Sequence, residues 1–131
     1  MGCEGLGMDE IAQASRNKQV VERSYEEFSK GNIEYLRAVL KEDFVEHSPG
    51  NPSGRDAFVE FIAGSPVAEA RIDLKRVVAD ARYAVAHYRM TPPGDERGVA
   101  VVDLWRFEDG LIAEHWDVVQ PVPEDVPNGM F

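Results

Sequence analysis

The chain has 131 residues, of which 44% are hydrophobic and 29% charged, a composition typical of one soluble globular domain. Its formal net charge of −10 excludes nucleic acids and anionic membranes as partners, because such binding depends on clustered lysine and arginine. No apolar run approaches the roughly 20 residues that span a bilayer, and no secretory signal precedes the first helical pattern. Cys3 is the one cysteine and cannot close an internal disulfide, so we expect a cytoplasmic protein. Its expected partner is a small molecule or another protein.

Helical patterns dominate the first half of the chain. From Ile11 to Lys30, apolar residues recur at intervals of three or four or their multiples, which predicts an amphipathic helix after a flexible segment at 1–10. Asn32 is a suitable cap for a second helix whose apolar face extends from Ile33 to Leu40. A third short helix is predicted from about Asp56 to Ala63.

Extended patterns dominate the second half. A short extended piece at Phe44 to His47 comes first, before a loop rich in proline, glycine and serine. Asp109-Gly110 is the clearest hairpin turn, and the proline-rich tail at 121–131 is expected to lie on the surface. Helices followed by hairpins predict a single α+β domain over 1–131, with helices against one face of a curved antiparallel sheet and a cavity between them. The four long strands of this meander are predicted at 71–80, 83–90, 98–107 and 111–120.

Polar residues interrupt the last two strands, in "VVDLWRFEDGLIAEHWDVVQ". Because side chains alternate along a strand, Val101, Asp103 and Trp105 share one face, and His115 shares a face with Asp117. The opposite face of the first of these strands is apolar too, so we expect a second subunit to cover it, forming a homodimer through the outer face of the sheet. Alternation alone leaves open which face of each strand lines the cavity.

Three features of the sequence carry a resemblance to a known family. They are the order of elements, the segment "GNIEYLRAVLKEDFVEHSPG" and, above all, the segment "VVDLWRFEDGLIAEHWDVVQ". They resemble the SnoaL-like polyketide cyclase branch of the nuclear transport factor 2-like superfamily, which includes ketosteroid isomerase. The resemblance covers about Val20 to Gln120 and implies a cone-shaped fold. It leaves the reaction open, because this scaffold hosts isomerases, cyclases, dehydratases, hydrolases and binding proteins.

The resemblance also implies roles for individual residues. Asp103 lies where ketosteroid isomerase has the aspartic acid of its oxyanion hole, His47 where the isomerase has its general base, and His87 where cyclases place a histidine on the middle strand. Replacement of the base by histidine is a departure from the isomerase pattern, and Tyr25 is one residue out of step with the isomerase tyrosine. In this alignment all three histidines converge on the cavity. Asp103, His87, His115 and Asp117 are then expected to face it, with Tyr88 and Trp116 on the outer face.

These residues together predict proton transfer next to a carbonyl group. Such a reaction needs a base near the carbon and a hydrogen-bond donor or acid at the oxygen. We expect Asp103 to be the central acid/base, either protonated because it is buried or a base paired with histidine. His87 is expected to orient Asp103 or relay a proton to it, and His47 to line the mouth of the cavity as a second base or hydrogen-bonding group. His115 and Asp117 form a supporting shell, and no metal or organic cofactor is required. The other predicted substrate-binding residues are Tyr25, Tyr83, Val101 and Trp105.

Other hypotheses remain open on the same residues. A buried aspartate often does no more than satisfy a neighbouring histidine, and His115 and Asp117 are close enough on one strand to bond each other. Three histidines and two acids also permit zinc or iron, although no local spacing such as H-x-x-x-H supports a metal. The main functional alternative is a small-molecule binding protein that uses the same cavity without turnover. A third hypothesis is a dimerisation or scaffolding domain whose cavity is vestigial.

Overall fold

The chain folds as three α-helices packed on a five-stranded sheet, in a computed structural model that describes residues 3–131. The α+β architecture predicted from the sequence is confirmed. The helices are α1 (Cys3–Ser29), α2 (Leu36–Val39) and α3 (Arg55–Ala63), with short 3₁₀ turns at Ile33–Tyr35 and Pro66–Glu69. The strands are β1 (Leu40–Glu46), β2 (Arg71–Ala79), β3 (Tyr83–Thr91), β4 (Val99–Glu108) and β5 (Leu111–Pro121).

The sheet has the order β1-β5-β4-β3-β2 and does not close into a barrel. The strands β2 to β5 form the predicted antiparallel meander, joined by hairpins. β1 pairs with β5 in parallel, so the sheet as a whole is mixed rather than purely antiparallel. No helix of the described residues is both long enough and apolar enough to cross a membrane.

Two helix boundaries differ from the prediction. α1 begins at Cys3, inside the segment 1–10 that was predicted to be flexible, and residues 1 and 2 lie outside the described part of the chain. Met8 and Ile11, near its N-terminal end, are exposed, so these two apolar residues do not belong to a buried face that periodicity could reveal. The predicted second helix ends early, because Leu40 already pairs with β5 as the first residue of β1.

The core lies between the helices and the inner face of the sheet. On β4 the inward residues Val101, Asp103, Trp105 and Phe107 are all buried, while the residues between them are half-buried. The aromatic rings of Phe44 and Phe58 meet with centroids 5.0 Å apart and join β1 to α3. This packing leaves a cavity between the helices and the inner face of the sheet.

The register of β3 against β4 decides which side chains line the cavity. Ala86 pairs with Asp103, so Ala86 and Tyr88 share the inner face with Asp103. His87 lies between Ala86 and Tyr88 on β3, so its side chain points to the outer face of the sheet. The prediction that His87 faces the cavity and Tyr88 the outer face is wrong. The residues of β3 that share a face with Asp103 are Ala84, Ala86 and Tyr88, one position away from those that the prediction assumed.

Candidate functional site

A mostly apolar cavity of about 120 Å³ lies between the helices and the inner face of the sheet. Its walls come from all three helices and from strands β2 to β5, so both layers of the domain contribute to it. One end is polar, where Asp103, His115 and Asp117 meet the two tyrosines Tyr25 and Tyr88. The apolar walls include Val21, Phe28, Leu36, Phe58, Ile62 and Met90.

Asp103 is the centre of the polar end and is 4% exposed. Its Oδ2 accepts hydrogen bonds from the hydroxyl groups of Tyr25 and of Tyr88, the latter at 2.8 Å. Its Oδ1 lies 2.9 Å from Nε2 of His115. Every one of these partners is a donor, so the contacts fit a carboxylate and not a carboxylic acid.

The two tyrosines remain protonated. Burial raises the pKa of Tyr25 and that of Tyr88 well above the ordinary value, and the negative charge of Asp103 adds to the effect. The hydroxyl of Tyr25 also accepts a hydrogen bond of 3.2 Å from Nε1 of Trp105. Tyr25, Trp105 and Val101 therefore lie in the cavity, as predicted, and Tyr88 joins them as a residue that the sequence analysis missed.

His115 lies between two carboxylates. Its Nε2 faces Asp103, and its Nδ1 lies 2.7 Å from Oε1 of Glu46. Burial by itself lowers the pKa of His115, but the hydrogen bonds to Asp103 and Glu46, together with their charges, outweigh it and raise the pKa to about 9. At neutral pH the imidazole therefore carries a proton on both nitrogens. Its ring stacks on Trp105 with centroids 3.9 Å apart.

Glu46 completes a buried ionic chain, which we define as Glu46, His115 and Asp103. Its side chain is 0% exposed, and its Oε1 also accepts the backbone N–H groups of His47 at 2.9 Å and Ser48 at 3.1 Å. The sequence analysis missed this residue. A signal was available, because alternation along β1 places Glu46 on the same face as the buried Phe44.

Asp117 also faces the cavity, directly across from Asp103 in the register of β4 and β5. Burial raises its pKa above the ordinary value, and the charges of Asp103 and Glu46 act in the same direction. A hydrogen bond from Ser48 and the charge of His115 oppose this rise. Asp117 therefore keeps its proton to a higher pH than an exposed aspartate does.

The other two histidines do not reach the cavity. His47 directly follows β1, and its side chain lies on the outer side of the sheet. Its Nε2 lies 2.6 Å from Oε2 of Glu114, and its ring stacks on Trp116. Trp116 is thus on the outer face, as predicted. The expected convergence of three histidines is wrong, because the alternation along β1 turns Glu46 inward and His47 outward.

His87 and Tyr83 also lie on the outer face of β3. Nδ1 of His87 lies 2.6 Å from the Nη1 atom of Arg76, and its ring stacks against Phe131 from the tail. Tyr83 pairs with Arg106 across β3 and β4 and is half-exposed. Neither side chain lines the cavity, so the roles predicted for them there are not supported by their positions.

One group of side chains has the composition of a metal site. Ligand atoms of Asp103, His115 and Asp117 lie within 4.8 Å of one another. Nδ1 of His115 faces Glu46 and its Nε2 faces Asp103, so a metal ion could bind this imidazole only by replacing the proton between His115 and Asp103. The absence of a metal and of a cofactor stays a prediction.

Comparisons with known proteins give a family model and a set of folds. A family model described as a SnoaL-like domain matches residues 21–115. No functionally curated protein matches the sequence.

Among solved structures, a provisionally assigned ketosteroid isomerase from Kribbella flavida has a TM-score of 0.75 at 21% identity, over 87% of this chain and 84% of that one. An NTF2-like protein of unknown function from Mesorhizobium loti has a TM-score of 0.71 at 23% identity, over 82% and 93%. A provisionally assigned SnoaL-like polyketide cyclase from Jannaschia sp. CCS1 has a TM-score of 0.68 at 18% identity, over 81% and 86%. Identities this low show a shared fold alone.

Proposed function

Because the chain belongs to the SnoaL-like family, we propose that it is a cofactor-independent enzyme that transfers protons on a small, hydrophobic carbonyl compound. The reaction class is aldol cyclisation, isomerisation or dehydration, all of which begin with removal of a proton next to the carbonyl. One observation carries the proposal. The carboxylate of Asp103, held by three hydrogen-bond donors, faces an apolar cavity.

Asp103 is the base in this proposal. A carboxylate has about four acceptor positions, and three of those on Asp103 are occupied by Tyr25, Tyr88 and His115. The remaining position on Oδ1 is available to take a proton from the carbon next to the substrate carbonyl. The same three donors fix the orientation of the carboxylate, which is the usual structural requirement for general-base catalysis.

Asp117 is the acid. Burial and the charges of Asp103 and Glu46 raise its pKa above the ordinary value, so its protonated form is easier to populate than that of an exposed aspartate. In that form Asp117 donates a hydrogen bond and then a proton to the carbonyl oxygen. The C–H bond breaks, its electron pair forms the C=C bond of the enol, and the carbonyl oxygen receives the proton of Asp117. Asp103 then holds the proton taken from carbon, and the two carboxyl groups have exchanged their protonation states.

The size of the cavity supports a small substrate. At about 120 Å³ it is similar to the engineered cavity of ~150 Å³ that takes up benzene. A molecule with one ring therefore matches this space, whereas a four-ring steroid would require the walls to move apart. The cavity volume therefore favours small ketones over steroids.

Exchange of α-protons tests the proposal directly. Wild-type protein is expected to accelerate the exchange of the α-protons of cyclohexanone in D₂O, measured by NMR. Asp103→Asn is expected to lower the rate by about 100-fold or more while cyclohexanone still binds. Asp43→Asn makes the same chemical change at an exposed position of β1 and should leave the rate unchanged. Equal rates for the wild type and Asp103→Asn would contradict the proposal.

The alternative is a small-molecule binding protein. One observation favours it: all the hydrogen bonds of Asp103 are made inside the protein, as in a purely structural polar cluster. Under this alternative, cyclohexanone binds to the wild type but its α-protons exchange no faster than in buffer. The exchange experiment therefore separates the two functions.

A further inference from the structure

The polar end of the cavity carries a net negative charge. In the buried ionic chain two carboxylates, Glu46 and Asp103, flank one imidazolium, His115, which leaves one negative charge before Asp117 is counted. Among residues 3–131, no lysine or arginine lines the cavity. A ligand in this cavity therefore meets more carboxylates than cations, since His115 is the one cationic side chain among the described residues that line it.

Glu46 makes the net charge of the buried ionic chain negative. His115 and Asp103 alone would cancel, but Glu46 binds the far nitrogen of the imidazole and offsets its charge with a second carboxylate. All three side chains are 5% exposed or less, so water screens them poorly. Charges in such surroundings act with an effective dielectric constant of about 20 rather than about 80.

We propose that this cavity selects its ligands by charge, accepting a one-ring organic cation most readily, then a neutral molecule of that size, and rejecting the corresponding carboxylate. The substrate class that follows is a carbonyl compound with an amino group or no charge, and not a keto acid. The carbonyl group of this substrate class rests on the proposed function, whereas the selection by charge concerns binding and not turnover.

A series of size-matched probes tests the inference. Cyclohexylamine, cyclohexanol and cyclohexanecarboxylate share one ring and are cationic, neutral and anionic at pH 7. Calorimetric titration of the wild type is expected to show affinity falling in that order. The carboxylate is expected to bind about 10-fold or more weakly than the alcohol, as expected for one unit charge at a few ångströms in this environment. A carboxylate that binds as tightly as the alcohol, or no binding of any probe, overturns the inference.

A variant locates the source of the selection. Asp103→Asn removes the negative charge of a buried carboxylate that lines the cavity, so the affinity ratio of cyclohexylamine to cyclohexanecarboxylate should contract by about 10-fold or more. Asp43→Asn is the matched control and should keep the wild-type ratio. An unchanged ratio in Asp103→Asn contradicts the inference, and should that variant not fold, the wild-type series decides alone. Because the series measures affinity, its outcome is independent of whether α-protons exchange.

Discussion

Burial of Glu46 and Asp103 beside His115 is costly unless each charge has a partner. Oε1 of Glu46 accepts three hydrogen bonds, Asp103 accepts three, and both nitrogens of His115 are engaged. In the part of the chain that the structure describes, no buried side-chain nitrogen or oxygen lacks a partner. The site is therefore a complete hydrogen-bonded unit, in which the loss of one member leaves an unpaired buried group on the next.

The raised pKa of His115 makes stability depend on pH. The pKa is about 9 in the folded state and about 6.5 in the unfolded state, so protonation of His115 stabilises the fold fully below about pH 6.5. This contribution, up to about 3 kcal/mol, is lost as the pH rises through about 9. We expect the free energy of unfolding, measured with urea, to fall between pH 6.5 and pH 9.5.

Glu46→Gln tests the origin of that dependence. It removes one of the two carboxylates that raise the pKa of His115, so the loss of stability should be complete at a lower pH than in the wild type. Glu42→Gln changes an exposed residue of the same strand and should keep the wild-type curve. If Glu46→Gln unfolds with the wild-type pH dependence, Glu46 does not set the charge of His115.

At the scale of elements, two hairpin glycines with positive φ differ in their surroundings. Gly110 follows Asp109 in the predicted turn between β4 and β5, with φ at 80° and open space around it. Gly98 precedes β4 with φ at 72°, and a Cβ there would lie 2.4 Å from the backbone oxygen of Met90. Only Gly98 therefore combines backbone strain with a steric clash.

Alanine substitutions should separate these two effects. Gly110→Ala is expected to cost about 1–2 kcal/mol of unfolding free energy, the strain of a left-handed backbone alone. Gly98→Ala is expected to cost about 3 kcal/mol or more, because the Met90 carbonyl also has to move. Chemical denaturation measures both values. Equal costs would show that the β3–β4 hairpin accommodates the added methyl group without strain.

The elements were predictable from periodicity, whereas the site was only half predictable. Alternation sorts the residues of one strand into two faces. Which face of one strand matches which face of the next depends on their register, and register depends on long-range pairing. Alternation left the cavity face of β4 and β5 open, and the family resemblance placed Asp103, His115 and Asp117 correctly on that face. His87 was misplaced across the next hairpin, and Glu46 was overlooked because a charged residue in a short strand is usually solvated.

At the scale of the whole molecule, the outer face of the sheet is unusually apolar for a surface. Val78 and Val118 are 62% and 66% exposed there, and Leu104 and Trp116 are half-buried between them. The tail covers part of this face, since the ring of Phe131 packs on His87. The homodimer expected from the sequence stays a prediction, and this face is where it would form.

A charge on that face should prevent such a dimer. Val118→Arg introduces a cation at an exposed position, so the fold is expected to survive while a dimer buried there dissociates. Phe61→Arg makes a similar change on α3, at a residue that is 45% exposed, and should leave the assembly intact. Sedimentation velocity gives the molecular mass of each form. A wild-type monomer, or a Val118→Arg dimer, contradicts the expectation.

The parallel pairing of β1 with β5 has a consequence for biosynthesis. In the described sheet, β1 is an edge strand whose one neighbour is β5, and Glu46 lies 69 residues before His115. A nascent chain that has emerged only as far as β4 leaves β1 without a strand to join and Glu46 without its imidazole. The ionic chain and the cavity beside it are therefore assembled late, after β5 has left the ribosome.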